Sequence, residues 1–206
     1  MEKVKILVLG PERSGKTAIV NHVSGFKETT SSEYKPTVAL RIVEYEANGL
    51  NFNKSANPSV ANRYTGGSSK ASVELWDVSG HSRYQSCWPA IMKDANGVLF
   101  VFNPEVKNQD KELDNWHKSF ALPTKVRDSC MIVFAHRQGS QNKSTMPLQK
   151  PKMPKSFAKV KLCETSLEYG SDDFKVELDR LVENIVITRR EAEENQILDG
   201  SSSSHN

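Results

Sequence analysis

The sequence predicts an α/β fold: a six-stranded, mostly parallel sheet with helices on both faces. Two observations predict it. Short β-branched apolar runs alternate with segments of helical periodicity, the pattern of strand–helix–strand units whose crossovers cover both sides of a parallel sheet. The first strand and first helix are joined by Gly10-Pro11-Glu12-Arg13-Ser14-Gly15-Lys16-Thr17, a glycine-bounded turn in the context where such turns cradle phosphate.

The elements follow in order. Val4 to Leu9 is a compact apolar run that stops at Gly10 and reads as the first strand. After Gly15 the pattern turns helical to about Val23. Val38 to Tyr45 reads as a second strand through Val38, Leu40 and Ile42, and Val73 to Val78 as a third. Val98 to Phe102 is the most completely apolar strand, Met131 to Ala135 the fifth, and Val160 to Leu162 opens the sixth. Helices are expected over Tyr84–Asp94, Lys111–Phe120 and Phe174–Arg189. In the last, Phe174, Leu178, Leu181, Val182 and Ile185 form one apolar stripe, with Ser171 as N-cap.

Three stretches break the alternation. The Asn-, Gly- and Ser-rich segment 48–71 reads as a long surface loop between the second and third strands. Segment 139–156 carries Pro147, Pro151 and Pro154 among lysines, too many prolines for a regular helix. Residues 191–206, ending in serines, read as a disordered tail. The expected organisation is one nucleotide-binding domain over 1–190, followed by that tail.

Composition narrows the class. The chain has 206 residues, and 28 Lys and Arg against 25 Asp and Glu leave +3. That balance argues against nucleic acid as a partner held by charge. Mean hydropathy is −0.56, and no apolar run approaches the roughly 20 residues that cross a bilayer. Cys87, Cys130 and Cys163 are odd in number and include no C-x-x-C pair, which suggests neither a disulfide framework nor a zinc site. The N-terminus passes from Glu2 directly into a strand pattern, so no signal peptide is expected and the chain reads as cytoplasmic.

The turn at Gly10 fits G-x-x-x-x-G-K-[ST]. Gly10 and Gly15 let the backbone wrap closely, so the N–H groups of Glu12, Arg13, Ser14, Gly15, Lys16, Thr17 and Ala18 form the candidate phosphate cradle. Lys16 brings a point charge to the β- and γ-phosphates, and the Thr17 hydroxyl can ligate Mg²⁺. Leu75-Trp76-Asp77-Val78-Ser79-Gly80 closes the third strand. There Asp77 can hold Mg²⁺ through water, and Gly80 can offer its N–H to a γ-phosphate.

With these motifs the sequence resembles the Ras superfamily of small GTPases over about residues 3 to 190. The resemblance implies the small-GTPase version of the P-loop NTPase fold, with Mg²⁺ and GTP or GDP bound. It also implies that Thr37, in Lys35-Pro36-Thr37, closes over metal and γ-phosphate. Glu164-Thr165-Ser166 is similar to the family's last base-side loop. The Glu74-Leu75-Trp76-Asp77 strand end, the Ser86-Cys87-Trp88-Pro89-Ala90 stretch and Ala135-His136 resemble one branch, the Rab-like GTPases of the intraflagellar transport B complex. That branch implies protein transport in the cilium or flagellum and at its base. The implied partners are coiled-coil subunits of the complex core, and the implied state of the isolated chain is monomeric.

Four departures bear on mechanism. The guanine-reading N-K-x-D motif falls on His136-Arg137-Gln138-Gly139, and Gly139 has no carboxylate for the base edge. Guanine preference can relax without that pair of hydrogen bonds, and ATP or ADP stays open as ligand. His136 is either a strand-end residue or a group beside the base. Leu167 and Glu168 replace Ala-Lys after Ser166, leaving the Leu167 backbone to reach the base. His81 stands where the family places its water-orienting Gln, which makes it the candidate catalytic residue beside Lys16 and Thr37. Slow hydrolysis is expected, since losing a positioning group costs about a hundredfold. No lipid-acceptor cysteine is present at the C-terminus, so no direct lipid anchor is expected.

The reading is therefore an atypical Rab-like small GTPase acting as a nucleotide-dependent binding module. The alternatives are a constitutive structural subunit with permanently bound nucleotide, or a signalling GTPase with a dedicated activator. Lys150, Lys152, Lys155, Lys159 and Lys161 read as a solvated loop or a contact for an acidic partner. Trp76, Trp88 and Trp116 read as packing residues, with Trp88 the one placed to meet a partner.

Overall fold

The computed structural model describes residues 1–26, 35–52, 70–137, 151, 153–167 and 171–202. Six strands form one sheet in spatial order β2-β3-β1-β4-β5-β6. They are β1 (Glu2–Leu9), β2 (Leu40–Ala47), β3 (Ala71–Val78), β4 (Gly97–Phe102), β5 (Met131–Arg137) and β6 (Lys161–Ser166). Every pairing is parallel except β2 with β3. The sheet is thus mostly parallel, as the alternation of elements predicts.

The second half of β1, Ile6 to Leu9, shows why a stretch is apolar without alternation. Ile6 and Val8 enter one core and Leu7 and Leu9 the other, all fully buried. A strand covered on both faces has no side left for polar residues. The first core lies under α1 (Lys16–Ser24) and α4 (Ser171–Ser202), and takes Ile19 and Val20 together with Phe174, Leu178, Leu181, Val182 and Ile185. The second lies under α2 (Trp88–Met92) and α3 (Gln109–Trp116), and takes Ile91, Leu113, Trp116 and Phe120. Each fully buried side chain of this size contributes about 1.5–3 kcal/mol.

The structure corrects several element boundaries. The helix expected over Tyr84–Asp94 is a 3₁₀ helix, Ser82–Cys87, followed by the short α2. Pro89 explains the break: it has no N–H to donate and fits only in the first turn of a new helix. The helix expected over Lys111–Phe120 begins earlier, at Gln109. It passes into a π-helical turn, His117–Ala121, and ends in an α turn, Leu122–Thr124.

The tail expected over 191–206 is corrected over 191–202, where the chain is helical; residues 203–206 lie outside the described residues. α4 runs without interruption to Ser202, which at 1.5 Å per residue makes a rod of about 48 Å. Glu191, Ala192, Glu193, Glu194 and Gln196 are strong helix formers. Arg189 pairs with Glu193 one turn on, and Arg189 and Arg190 both hold Glu2 at the start of β1. Anchored there, the helix propagates from an existing nucleus.

Of the long loop 48–71, residues 53–69 lie outside the described set. Its start is docked: Leu50 and Phe52 are buried in the first core, and the Asn51 N–H donates to Glu183 Oε1 at 2.7 Å. Ala71 already belongs to β3. In segment 139–156 the described part is Pro151 and residues 153–156, and Lys155–Phe157 form a 3₁₀ turn. Lys161 of the basic run is paired with Glu177. Lys150 and Lys152 lie outside the described residues.

Candidate phosphate and metal site

The C-terminal ends of the parallel strands face one side of the molecule, where open α/β sheets bind ligands. β1 ends at Leu9 and turns directly into the glycine loop. At Gly10 (φ +148°) an added Cβ would lie 2.0 Å from the Val101 carbonyl oxygen, so backbone from β4 passes where a side chain would have to go. Ser14 is fully buried, Glu12 and Arg13 are exposed, and Gly15 is the N-cap from which α1 starts. The helix therefore directs its unsatisfied N–H groups, Thr17 and Ala18 among them, into the loop's hollow.

Lys16 spans the mouth of this loop. Its Nζ donates to the carbonyl oxygens of Gly10 at 2.8 Å and Pro11 at 2.6 Å, and stands 3.5 Å from Ser14 Oγ. Burial pushes the ammonium down to about 8, against the opposing pull of Asp77 and Glu12. A buried cation whose hydrogen bonds among the described residues go to neutral oxygens is one that an anion would relieve.

Register places the acidic partner. β1 and β3 run parallel with Val8 opposite Asp77, so the end of β3 arrives beside the loop. Asp77 Oδ2 accepts from the Thr17 hydroxyl at 2.7 Å and the Thr37 hydroxyl at 3.4 Å, and the two hydroxyls are 2.9 Å apart. Asp77 is fully buried, and its Oδ1 has no hydrogen-bond partner among the described residues. Desolvation raises the Asp77 pKa, opposed by the hydroxyls, Lys16 and Arg41. Two hydroxyls and one carboxylate meeting at hydrogen-bond distance, with a carboxylate oxygen left over, are a hard oxygen donor set. Such a set fits Mg²⁺, which takes few protein ligands and keeps waters and phosphate oxygens for the rest.

Gly80 lies against the loop. A Cβ there would come within 2.5 Å of the Glu12 nitrogen and 2.7 Å of the Pro11 carbonyl carbon, so only a glycine lets these two backbones touch. His81 is exposed. Its Nδ1 accepts from the Arg83 N–H at 3.1 Å, capping the 3₁₀ helix, and its own N–H donates to Ser79 Oγ at 3.3 Å.

On the far side, β5 and β6 bring His136 opposite Thr165 and Arg137 opposite Ser166. His136 is buried, tilted against the Phe174 ring at 5.8 Å, with Nδ1 3.4 Å from the Thr165 hydroxyl. Burial pushes its pKa down to about 4, so it is neutral near pH 7. Arg137 lies between Glu105 and Glu164, 3.4 Å from each. Leu167 packs toward the first core. Gln138 and Gly139, where the base-reading carboxylate is missing, lie outside the described residues.

Two residues that sequence reading passes over also hold the loop. Gln109, buried at the start of α3, donates from Nε2 to the Glu12 carbonyl at 3.0 Å. Its Oε1 accepts the Asn103 N–H at 2.7 Å. Their only sequence signal is a pair of amides flanking a strand-to-helix connection. Trp88, singled out as a partner-facing residue, is half-buried against Trp116 and Phe120, at ring separations of 5.3 Å and 4.7 Å.

The fold and this site define a Ras-like P-loop GTPase. The family model described as Ras of Complex, Roc, domain of DAPkinase matches residues 5–138. Intraflagellar transport protein 22 of Trypanosoma brucei brucei is 40% identical over 206 residues, covering 95% of this chain and 91% of that protein. The homologue in Danio rerio is 34% identical, covering 95% and 97%. The GTP-bound T. brucei IFT22/74/81 crystal structure superposes with a TM-score of 0.70 at 38% identity, covering 93% of this chain and 99% of that one. GDP-bound T. brucei IFT22 gives 0.64 at 35%, covering 92% and 99%. The chain belongs to the intraflagellar transport protein 22 family of Rab-like small GTPases.

Proposed function

We propose that this chain binds a guanine nucleotide with Mg²⁺ in the loop 10–17, and that the bound nucleotide gates its assembly with the intraflagellar transport B core. The observation that carries the reading is the meeting of Thr17, Thr37 and Asp77 beside Lys16. The relatives add weight, since T. brucei IFT22 is described as GTP-bound and GDP-bound, and together with IFT74/81. The partner proposed is accordingly an IFT74/81-type coiled coil, met by a monomeric chain in the cilium or flagellum and at its base. Guanine over adenine is the expected preference, carried by the Thr165–Leu167 backbone.

The residues divide the work. Lys16 exchanges two loop carbonyls for phosphate oxygens, and the Gly10–Ala18 N–H groups surround them. Thr17, Thr37 in the triphosphate form, and Asp77 by way of water are the residues that would hold Mg²⁺ here. Bound Mg²⁺ supplies charge neutralisation at the β- and γ-phosphates. Gly80 offers its N–H to the γ-phosphate. His81 faces solvent with Nδ1 committed to the Arg83 N–H, so any water it orients meets Nε2. Intrinsic hydrolysis is slow on this reading, by about a hundredfold or more relative to a fully positioned water. The partner-facing surface comprises Thr37 and residues 81–95.

A second reading is a constitutive subunit whose nucleotide is never exchanged. The Trp88 ring packed against both Trp116 and Phe120 favours it, because it resists remodelling of residues 82–92. One series of measurements decides. The nucleotide that copurifies is identified, and affinities for GTP, GDP, ATP and ADP are measured with Mg²⁺. Binding to an IFT74/81-type partner is then compared between the two guanine forms. A strong guanine preference with tighter partner binding in the triphosphate form supports the first reading. Equal partner affinity in both forms replaces it with the second. Equal affinity for adenine and guanine nucleotides removes the guanine assignment.

A further inference from the structure

We infer that Gln109 is a positioning residue for the phosphate cradle, acting through the Glu12–Arg13 peptide. The inference rests on the nucleotide-binding reading of loop 10–17 and goes beyond it by naming what orients the loop's middle.

The middle of the loop, Glu12 and Arg13, is a turn between β1 and α1. Arg13 takes a left-handed conformation, φ +56°, which a non-glycine residue adopts only when its surroundings hold it there. Two groups from distant elements supply that hold. On one side the Gly80 backbone is so close to the Glu12 nitrogen that no side chain fits between them. On the other, the Gln109 amide donates to the Glu12 carbonyl oxygen at 3.0 Å.

Gln109 is itself fixed. It is 4% exposed, it is the first residue of α3, and its Oε1 accepts the Asn103 N–H at 2.7 Å. Asn103 directly follows the last residue of β4, so the amide ties the loop to the sheet. Both polar ends of the side chain are used, and neither its orientation nor its position is free.

The consequence follows from peptide geometry. The peptide bonds of the described residues are trans, and in a planar trans peptide the C=O and N–H point in opposite directions. With the Glu12 oxygen drawn toward α3, the Arg13 N–H is directed away from α3, into the hollow that Lys16 spans. A donor preset in that direction needs no reorganisation when phosphate arrives. Without Gln109 the 12–13 peptide can rotate, and the Arg13 N–H is lost to the cradle for part of the time.

The test uses the full chain, fluorescent Mg²⁺-GDP for affinity and ³¹P resonances of bound GDP for geometry. Gln109→Met removes both hydrogen bonds at similar volume. Gln109→Glu keeps the oxygen that takes the Asn103 N–H and lacks the donor for Glu12. Both variants are expected to bind Mg²⁺-GDP about tenfold more weakly, the worth of one preset hydrogen bond to a charged oxygen. In both, the β-phosphate resonance moves while the α-phosphate resonance stays. If Gln109→Met does not fold, Gln109→Glu carries the test alone. Wild-type affinity and an unmoved β-phosphate resonance in Gln109→Glu would overturn the proposal and leave Gln109 as an anchor of β4 only. A wild-type chain that binds neither Mg²⁺-GDP nor Mg²⁺-GTP would instead remove the reading on which the proposal rests.

Discussion

Lys16 makes the ligand-free chain less stable near neutral pH than it is in mild alkali. In the folded chain burial pushes its ammonium down to about 8, whereas the ordinary value is 10.5. Above pH 8 the folded state therefore releases this proton while the unfolded state keeps it until about pH 10.5. The unfolded state binds more protons in that window, so stability rises with pH across it. At about 1.4 kcal/mol per pH unit, the interval amounts to about 3 kcal/mol. Lys16 is 6% exposed, so solvent screening removes little of this. The assay is urea unfolding of ligand-free protein from pH 7 to pH 10, in parallel with Lys16→Met, which cannot titrate there. The difference between the two isolates Lys16, because every other titrating group is common to both. It should move in favour of wild type by about 2–3 kcal/mol by pH 10. Nucleotide acts with opposite sign. Phosphate favours the charged ammonium, so above pH 8 binding takes up a proton, and affinity falls by up to about tenfold per pH unit. A difference between wild type and variant that stays flat across the range would refute the claim that Lys16 is a desolvated cation awaiting an anion.

Further outcomes follow from the same geometry. Asp77→Asn keeps an acceptor for the Thr17 hydroxyl but removes the carboxylate oxygen that has no partner among the described residues. Nucleotide binding in that variant should need a higher Mg²⁺ concentration for half-saturation than in wild type, and an unchanged Mg²⁺ requirement would place the metal elsewhere. Thr37→Ala should weaken triphosphate binding more than diphosphate binding, read as the ratio of the two dissociation constants; equal losses would remove Thr37 from the γ-phosphate role. Gly80→Ala forces a Cβ to 2.5 Å from the Glu12 nitrogen. Overpacking of this kind costs about 1–3 kcal/mol, and unchanged urea stability with unchanged nucleotide affinity would contradict the backbone contact.

Much of this protein is written locally. The runs Val4–Leu9 and Val98–Phe102 are apolar at every position or nearly so, and only a strand buried on both faces needs that. The loop Gly10–Thr17 is one contiguous stretch, so its glycines, lysine and threonine are legible as a unit. The apolar stripe of α4 from Phe174 to Ile185 is equally direct. The continuation of that helix to Ser202 was also present locally, in Glu191 to Gln196, but serine-rich composition further on argued for a tail. Composition says nothing of the Glu2 carboxylate that Arg189 and Arg190 hold.

What sequence left open depends on groups far apart in the chain. Asp77 meets Thr17 across 60 positions because β3 pairs with β1 in the register that sets Val8 opposite Asp77. A slip of one residue would turn that carboxylate to the other face of the sheet. Gln109 reaches the Glu12 carbonyl across 97 positions because the short connection after β4 sets the start of α3 beside the loop. His136 is neutral and buried because Phe174, 38 positions on by number, packs against its ring. Local patterning determined which strands and helices form and which residue types can hold phosphate. Tertiary structure alone decided which oxygens converge and which charges lose their water. Distance and desolvation belong to the packed chain and to no single segment of it.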